Sequence, residues 1–421
     1  MRSAAAPVCA RVDRAERRDI PVAIIGAGPS GLAVAAELGR RGVAATVFES
    51  SGHVAASWRG YYDHLRLHTV RALSGMPGMR ISRGFGRWVA RDDMVRYLED
   101  YARQHDLDVR LSTPVDRIRP VERGGVVDSW RLCTGSTTAT AGTVVVATGL
   151  NRTPHLPEWP GQDAFSGSVI HSADYRTPEP YEGRSVLVAG AGNSGAEIAV
   201  ALARRGAARV WWAVRTPPNI VPASSDRLQR LGIAAGALPT SAADLLTTTF
   251  ERIFLPNLTA HGLPRAREGL YTRARRDEVS PVHDRGVVDA IRRERVQPVA
   301  AVAGFDRGQV VLADGTRIRP DDVVAATGYR CGLERLVGPD VVSSRGMPLA
   351  RGPRTAPEAP NLHFVGFTNH PSGHLRYAGL EARATAKAIG RRLRRFGDRP
   401  VEHAPECACA TAPERVSGEV A

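Results

Sequence analysis

The 421 residues predict an α/β protein made of two parallel-sheet domains, the second inserted into the first. Three observations carry this. The run Val22-Ala-Ile-Ile25, glycine-rich turn and Ala/Leu-rich stretch that open the chain return as Val186-Leu-Val-Ala189, a second glycine turn and a second helical stretch. Each copy is followed by another apolar, β-branched run, which makes each a strand, turn, helix and returning strand. Two further strands, Thr143–Ala147 and Asp322–Ala326, both end in Thr-Gly and bracket the second copy.

The first copy runs from the strand Val22–Ile25 through Gly26-Ala-Gly28-Pro-Ser-Gly31 and a helix to Arg41. It ends in the strand Ala45–Phe48, followed by Glu49. The second runs through Gly190-Ala-Gly192-Asn193-Ser194-Gly195 and a helix to Arg205, then a strand Val210–Val214 followed by Arg215. A lone GxGxxG is weak evidence. Set between a strand and a helix it is the Rossmann-like dinucleotide fingerprint. The first glycine permits the tight turn, the second clears space for a pyrophosphate, and the third lets helix and strand pack. The pyrophosphate then meets the N–H groups at the helix N-terminus.

The residue after the returning strand separates the two sites. Glu49 can accept hydrogen bonds from both ribose hydroxyls, which suits FAD or NAD and repels a 2′-phosphate. Arg215 attracts that phosphate and suits NADPH. A solvated charge at a strand end is the plainer alternative for both. The expected organisation is therefore a disordered leader over 1–19, an FAD-binding domain over 20–151 and 326–396, and an NADPH-binding domain over 152–325. A mobile tail over 397–421 completes it. Pro/Gly-rich 152–161 and 177–183 read as connecting loops.

Composition excludes several classes. With 43% apolar and 24% charged residues, the chain can bury a core. No uninterrupted apolar stretch is long enough to span a bilayer, so no membrane span is expected. The net charge of +14 raises the question of nucleic acid. Every cation except Lys387 is an arginine, scattered without a basic arm apart from Arg391-Arg392-Leu393-Arg394-Arg395, so no nucleic-acid partner is expected. The five cysteines include no CxxC, which argues against a redox dithiol and a zinc site. No metal is expected, and the reducing cytoplasm is the expected compartment; oligomeric state is not legible.

Between the two glycine motifs lies Phe165-Ser-Gly167-Ser-Val-Ile-His171-Ser-Ala-Asp-Tyr175. It matches FxGxxxHxxx(Y/F), and with it the chain resembles the flavin-containing monooxygenases, class B flavoprotein monooxygenases. Tyr175-Arg176 replaces the Trp and Pro/Asp usual in the Baeyer–Villiger relatives. Ser57-Trp58-Arg-Gly-Tyr-Tyr-Asp63-His-Leu65-Arg-Leu67-His68 resembles the YUCCA-type branch. So do the stretches from Asp92 to Ala102, Gly192 to Glu197, Pro281 to Asp284 and Ala326 to Tyr329. Asn361–Thr368 resembles the last FAD-side strand, and a helix over 377–395 would aim its N-terminus at the flavin. The likeness covers about 20–395.

The resemblance implies an FAD-dependent NADPH monooxygenase. Reduced flavin takes up O2 as a C4a-(hydro)peroxyflavin and passes one oxygen to a small organic substrate. The cofactor carries the chemistry and the protein excludes water. The YUCCA-type branch implies oxidative decarboxylation of a 2-oxo acid such as indole-3-pyruvate. N- or S-oxygenation of a soft nucleophile, or Baeyer–Villiger oxidation, is the alternative, and a non-oxygenating NADPH:flavin oxidoreductase a third. Trp58 is expected at the cofactor. His68 stands where an Asn steadies the adduct in animal members, and is the one catalytic candidate; a merely packed histidine competes with that role. Arg66 and Arg71 flank it and are candidates to meet an anionic substrate. Residues 225–275 are expected to cap the active site.

Overall fold

A computed structural model describes residues 19–135, 137–222, 226–370 and 372–396. The leader up to residue 18 and the tail from 397 lie outside the described residues.

In chain order, strand β1 (Asp19–Ile25) leads through the first glycine turn into helix α1 (Pro29–Gly39) and strand β2 (Thr46–Phe48). Helix α2 (Arg91–Gln104) precedes β3 (Asp108–Arg110), β4 (Arg117–Arg123), β5 (Val126–Thr134) and β6 (Thr137–Val146). After β7 (Ser168–His171), strand β8 (Ser185–Ala189) enters the second glycine turn, helix α3 (Asn193–Arg205) and strand β9 (Arg209–Ala213). Helices α4 (Asp226–Ala235), α5 (Thr240–Phe254) and α6 (Leu270–Arg276) follow. Strands β10 (Gln297–Val299), β11 (Asp322–Ala325) and β12 (Leu362–Phe364) precede the terminal helix α7 (His374–Phe396).

Two main sheets result. In the first the order is β3-β2-β1-β6-β5-β4, with β12 added in parallel beside β6. Its β1, β2, β3 and β6 pair in parallel and its β4-β5-β6 meander is antiparallel. The second, β10-β9-β8-β11-β7, is parallel throughout. Its central strands are continuous apolar runs because both faces are covered: β8 buries Val186 to Ala189 and β11 is buried along its length. The short β1–β2 and β8–β9 connections need right-handed crossovers, which α1 and α3 provide. Val22, Ile24, Leu32 and Leu38 sit in one core with Ala382, Ala386 and Ile389 of α7. Val186, Val188, Ile198, Leu202 and Trp212 form another.

The chain passes between the two sheets twice, and the passages are tied together. Thr153–Pro154 pairs antiparallel with Tyr329–Arg330. His171, from the FxGxxxHxxx(Y/F) segment, holds the Gly328 carbonyl with Nε2 at 3.0 Å and accepts from the Ala173 amide with Nδ1. A Cβ on Gly167 would lie 2.1 Å from the Asp321 carbonyl oxygen, and Tyr175 is almost fully buried. The segment is thus packed against the crossing. No described helix is long and apolar enough to cross a membrane.

Candidate active site

The two glycine turns have the same division of labour. A Cβ on Gly31 would stand 2.0 Å from the Gly26 carbonyl oxygen, and one on Gly195 would stand 2.0 Å from that of Gly190. Gly26 and Gly190 take φ of +108° and +131°, and a Cβ there would meet the carbonyls of Ala147 and Ala326. These four glycines are required by the protein's own packing. Gly28 and Gly192 are different. A Cβ on either meets nothing within 4 Å, and both residues line the same cavity of about 1370 Å3. Helices α1 and α3 both begin without a capping side chain, so their first-turn amides are open to an anion.

Glu49 lies one residue beyond β2 and lines the cavity. Its Oε2 accepts from the Ala27 amide at 2.8 Å and its Oε1 from the Ser51 amide at 2.9 Å. Ser50 Oγ also donates to Oε1, at 3.2 Å, so the lone pair left for a further donor is on Oε2. A ribose hydroxyl fits that capacity. Trp58 lines the same cavity and meets Tyr61 edge to face at 5.8 Å. Gly373, with φ +95°, brings the start of α7 against Thr69, and Ser372, Gly373 and His374 line the cavity floor.

On the second sheet the outcome for the expected residues is mixed. Ser194 lines the cavity. The Asn193 side chain also reaches it, but its amide is occupied. Nδ2 donates to the Pro281 carbonyl at 2.9 Å and Oδ1 accepts from the His283 amide at 2.8 Å. It clamps the 281–283 segment to the helix start. Arg215 is exposed, two residues past the end of β9, and does not line the cavity. Arg71 is corrected outright. Its guanidinium donates to the carbonyls of Gly86 and Ile81, away from the cavity, so it braces a loop. Arg66 does line the cavity, with one donor on the Trp88 carbonyl.

His68 lines the cavity too. Its Nε2 lies 2.9 Å from Glu197 Oε1, and its ring stacks on His283 at 5.1 Å and 12°. Tyr62 donates to Glu197 Oε2 at 2.6 Å, and Arg285 Nε is 3.5 Å from Oε1. Burial pushes the Glu197 carboxyl up, but His68, Tyr62 and Arg285 outweigh it and hold the group below the usual range. Burial, then the charges of His68 and Arg285, pushes His283 down to about 3, so that ring stays neutral. Glu197 and His283 stand in stretches that resemble the YUCCA-type branch, but each lies more than a hundred residues from His68, and only the fold shows that they meet it.

Helices α4 and α5 roof the cavity with Leu228, Leu231, Leu246 and Phe250. Gln229 docks the roof: its Oε1 accepts from the Val70 amide at 2.9 Å and its Nε2 donates to the His68 carbonyl at 3.0 Å. No group of three or more His, Cys, Asp or Glu that could hold a metal occurs among the described residues.

Residues 23–231 match the pyridine nucleotide-disulphide oxidoreductase family. Cys133 and Cys331 are buried, form no disulfide among the described residues and do not line the cavity. The chain is 33% identical over 84% of its length to the indole-3-pyruvate monooxygenase YUCCA1 of Oryza sativa subsp. japonica, covering 88% of that protein. It is 32% identical over 88% of its length to a probable indole-3-pyruvate monooxygenase, YUCCA3, of Arabidopsis thaliana, covering 86% of it. The chain belongs to the flavin monooxygenase family, in its YUCCA-type branch. Flavin monooxygenase structures share its mixed α/β fold. The flavin-containing monooxygenase from Stenotrophomonas maltophilia aligns with a TM-score of 0.69 at 23% identity, over 89% of this chain and 99% of that one. Open cyclohexanone monooxygenase aligns with a TM-score of 0.66 at 18% identity, over 89% and 88%. Family membership makes this YUCCA-type protein a flavin-dependent monooxygenase and implies FAD and NADPH dependence.

Proposed function

We propose that this YUCCA-type monooxygenase binds FAD at the first glycine turn and NADPH at the second, and oxygenates a 2-oxo acid such as indole-3-pyruvate. In this assignment residues 20–151 and 326–396 form an FAD-binding, Rossmann-like domain and residues 152–325 an inserted NADPH-binding one. The single observation that carries it is the shared cavity. The only glycines of the two motifs that a Cβ would suit sterically, Gly28 and Gly192, both open onto it.

When bound, FAD supplies the redox chemistry: two electrons come from NADPH, one oxygen of O2 goes to the substrate and the other leaves as water. The protein's own tasks are binding and exclusion. The amides following Gly28 and Gly192 receive the two pyrophosphates. Glu49 holds the adenosine ribose of FAD, and Arg215 meets the 2′-phosphate of NADPH. Trp58 packs beside the flavin. The start of α7 turns its positive end toward the flavin, where negative charge is best tolerated. The roof of Leu228, Leu231, Leu246 and Phe250 suits an aromatic substrate and keeps water out, and Arg66 is one of two cavity arginines, with Arg152, that a 2-oxo acid's carboxylate can meet. His68 supplies a proton to the oxygen that leaves as water. The cytoplasm, which supplies NADPH, is the compartment assigned.

Purified holoenzyme given indole-3-pyruvate, NADPH and O2 should release one CO2 and one carboxylic acid, a carbon shorter, per NADPH. Turnover of a simple sulfide with none of the 2-oxo acid would overturn the substrate assignment.

A further inference from the structure

The cavity wall behind His68 is shared with a second, outer pocket. This pocket, about 750 Å3, is lined by Asp63, His64, Glu179, Arg204, Arg285 and Glu197. Glu197 stands on α3, one helical turn beyond Asn193, and its side chain is 6% exposed. His68 follows the first βαβ unit, so the 2.9 Å contact between Nε2 and Oε1 joins residues positioned by different sheets. The carboxylate is filled on both oxygens, by His68 on Oε1 and by Tyr62 on Oε2. A carboxylate beside one ring nitrogen fixes the proton on that nitrogen, which sets the tautomer and the orientation of the ring. His283, stacked at 5.1 Å, restricts the ring further. The other nitrogen, Nδ1, has no hydrogen-bond partner among the described residues.

We propose that Glu197 is the positioning residue of the oxygenation, holding His68 with Nε2 protonated so that Nδ1 is the atom that delivers a proton into the cavity. The proposal rests on the function assigned above. The overall reaction is 2-oxo acid anion plus O2, NADPH and one proton, giving the shortened acid anion, CO2, water and NADP+. NADPH supplies both electrons as a single hydride, and His68 supplies the proton. Imidazolium His68 keeps its Nε2–H on Glu197 and gives up its Nδ1–H to the departing oxygen. The neutral ring that remains is already the tautomer Glu197 selects, and it reloads at Nδ1 from water after product leaves. The same helix that opens at the second glycine turn thereby sets the proton donor.

Two readouts test this on the holoenzyme. With 15N-labelled histidine, and His68→Asn to identify the signals, neutral His68 should be the Nε2–H tautomer. In Glu197→Gln it should become a mixture of both; an unchanged tautomer would overturn the proposal. Kinetically, Glu197→Gln should lower kcat about 10- to 100-fold, with KM for NADPH within about twofold and full flavin content. His68→Asn should cost about as much, and the double variant no more than His68→Asn alone, because Glu197 acts through His68. Additive losses, or a loss confined to KM, would overturn it. If Glu197→Gln loses flavin, Glu197→Asp, which keeps the charge and withdraws it from Nε2, takes its place in both arms. Absence of any 2-oxo-acid turnover by the unaltered enzyme would refute the substrate assignment, while the tautomer measurement would still decide the role of Glu197.

Discussion

At the scale of single residues, the glycine motifs separate the needs of folding from those of binding. Gly31 and Gly28 are three positions apart, yet a Cβ at Gly31 strikes the Gly26 carbonyl at 2.0 Å whereas one at Gly28 meets only open cavity. Gly28 also has a φ of −82°, which alanine adopts freely. Gly31→Ala should therefore destabilise the fold by several kcal/mol, through a backbone clash that cannot be relieved by a rotamer. Gly28→Ala should leave the apoprotein's melting temperature within about 2 °C and weaken flavin binding, because the methyl occupies pyrophosphate space. Equal thermal destabilisation by both would remove the basis for distinguishing the two positions. These roles were legible because glycine spacing is a local signal. Asn193 was legible as a motif member but not as a clamp, since its partners, the Pro281 carbonyl and the His283 amide, come from a segment distant in sequence.

At the scale of elements, the βαβ units could be read from the chain because strand and helix periodicity are short-range. Boundaries moved by a few residues: β1 starts at Asp19, α1 ends at Gly39 and β9 ends at Ala213. The meander β4-β5-β6 was less legible. Only its last residues, from Thr143, form a continuous apolar run, and β4 exposes most of its side chains. Strand β12 carries its own consequence. His363 is 5% exposed, with Nδ1 3.0 Å from the Gly352 carbonyl. Burial, aided by Arg392 and opposed by that hydrogen bond, pushes it down to about 4. Its pKa is thus lowered relative to about 6.5 in the unfolded chain. The neutral form is favoured on folding, so its contribution is fully present above about pH 6.5 and is lost as pH falls toward 4. Denaturant titrations should show a loss of about 2 kcal/mol between pH 7 and pH 5 that His363→Gln removes. An unchanged pH dependence in the variant would place the acid sensitivity elsewhere.

At the scale of the whole molecule, two sheets present equivalent glycine turns to one cavity, and segments from both sheets meet behind His68. That convergence was the least legible part, because nothing local in sequence links Glu197 to His68 or Gln229 to the His68 backbone. The roof over the cavity was expected only as a region, and the structure resolves it into α4, α5 and α6 with Gln229 as its tie. The central claim is that the second turn takes NADPH and passes its electrons to flavin held at the first. Anaerobic stopped-flow bleaching of the bound flavin tests it most directly, in the unaltered enzyme and in Arg215→Ala, with NADPH and NADH as donors. The account predicts that the NADPH concentration for half-maximal bleaching rises about tenfold in the variant, roughly 1.4 kcal/mol. NADH dependence and flavin content should not change. An unaltered NADPH dependence, or an equal loss with both donors, would contradict it.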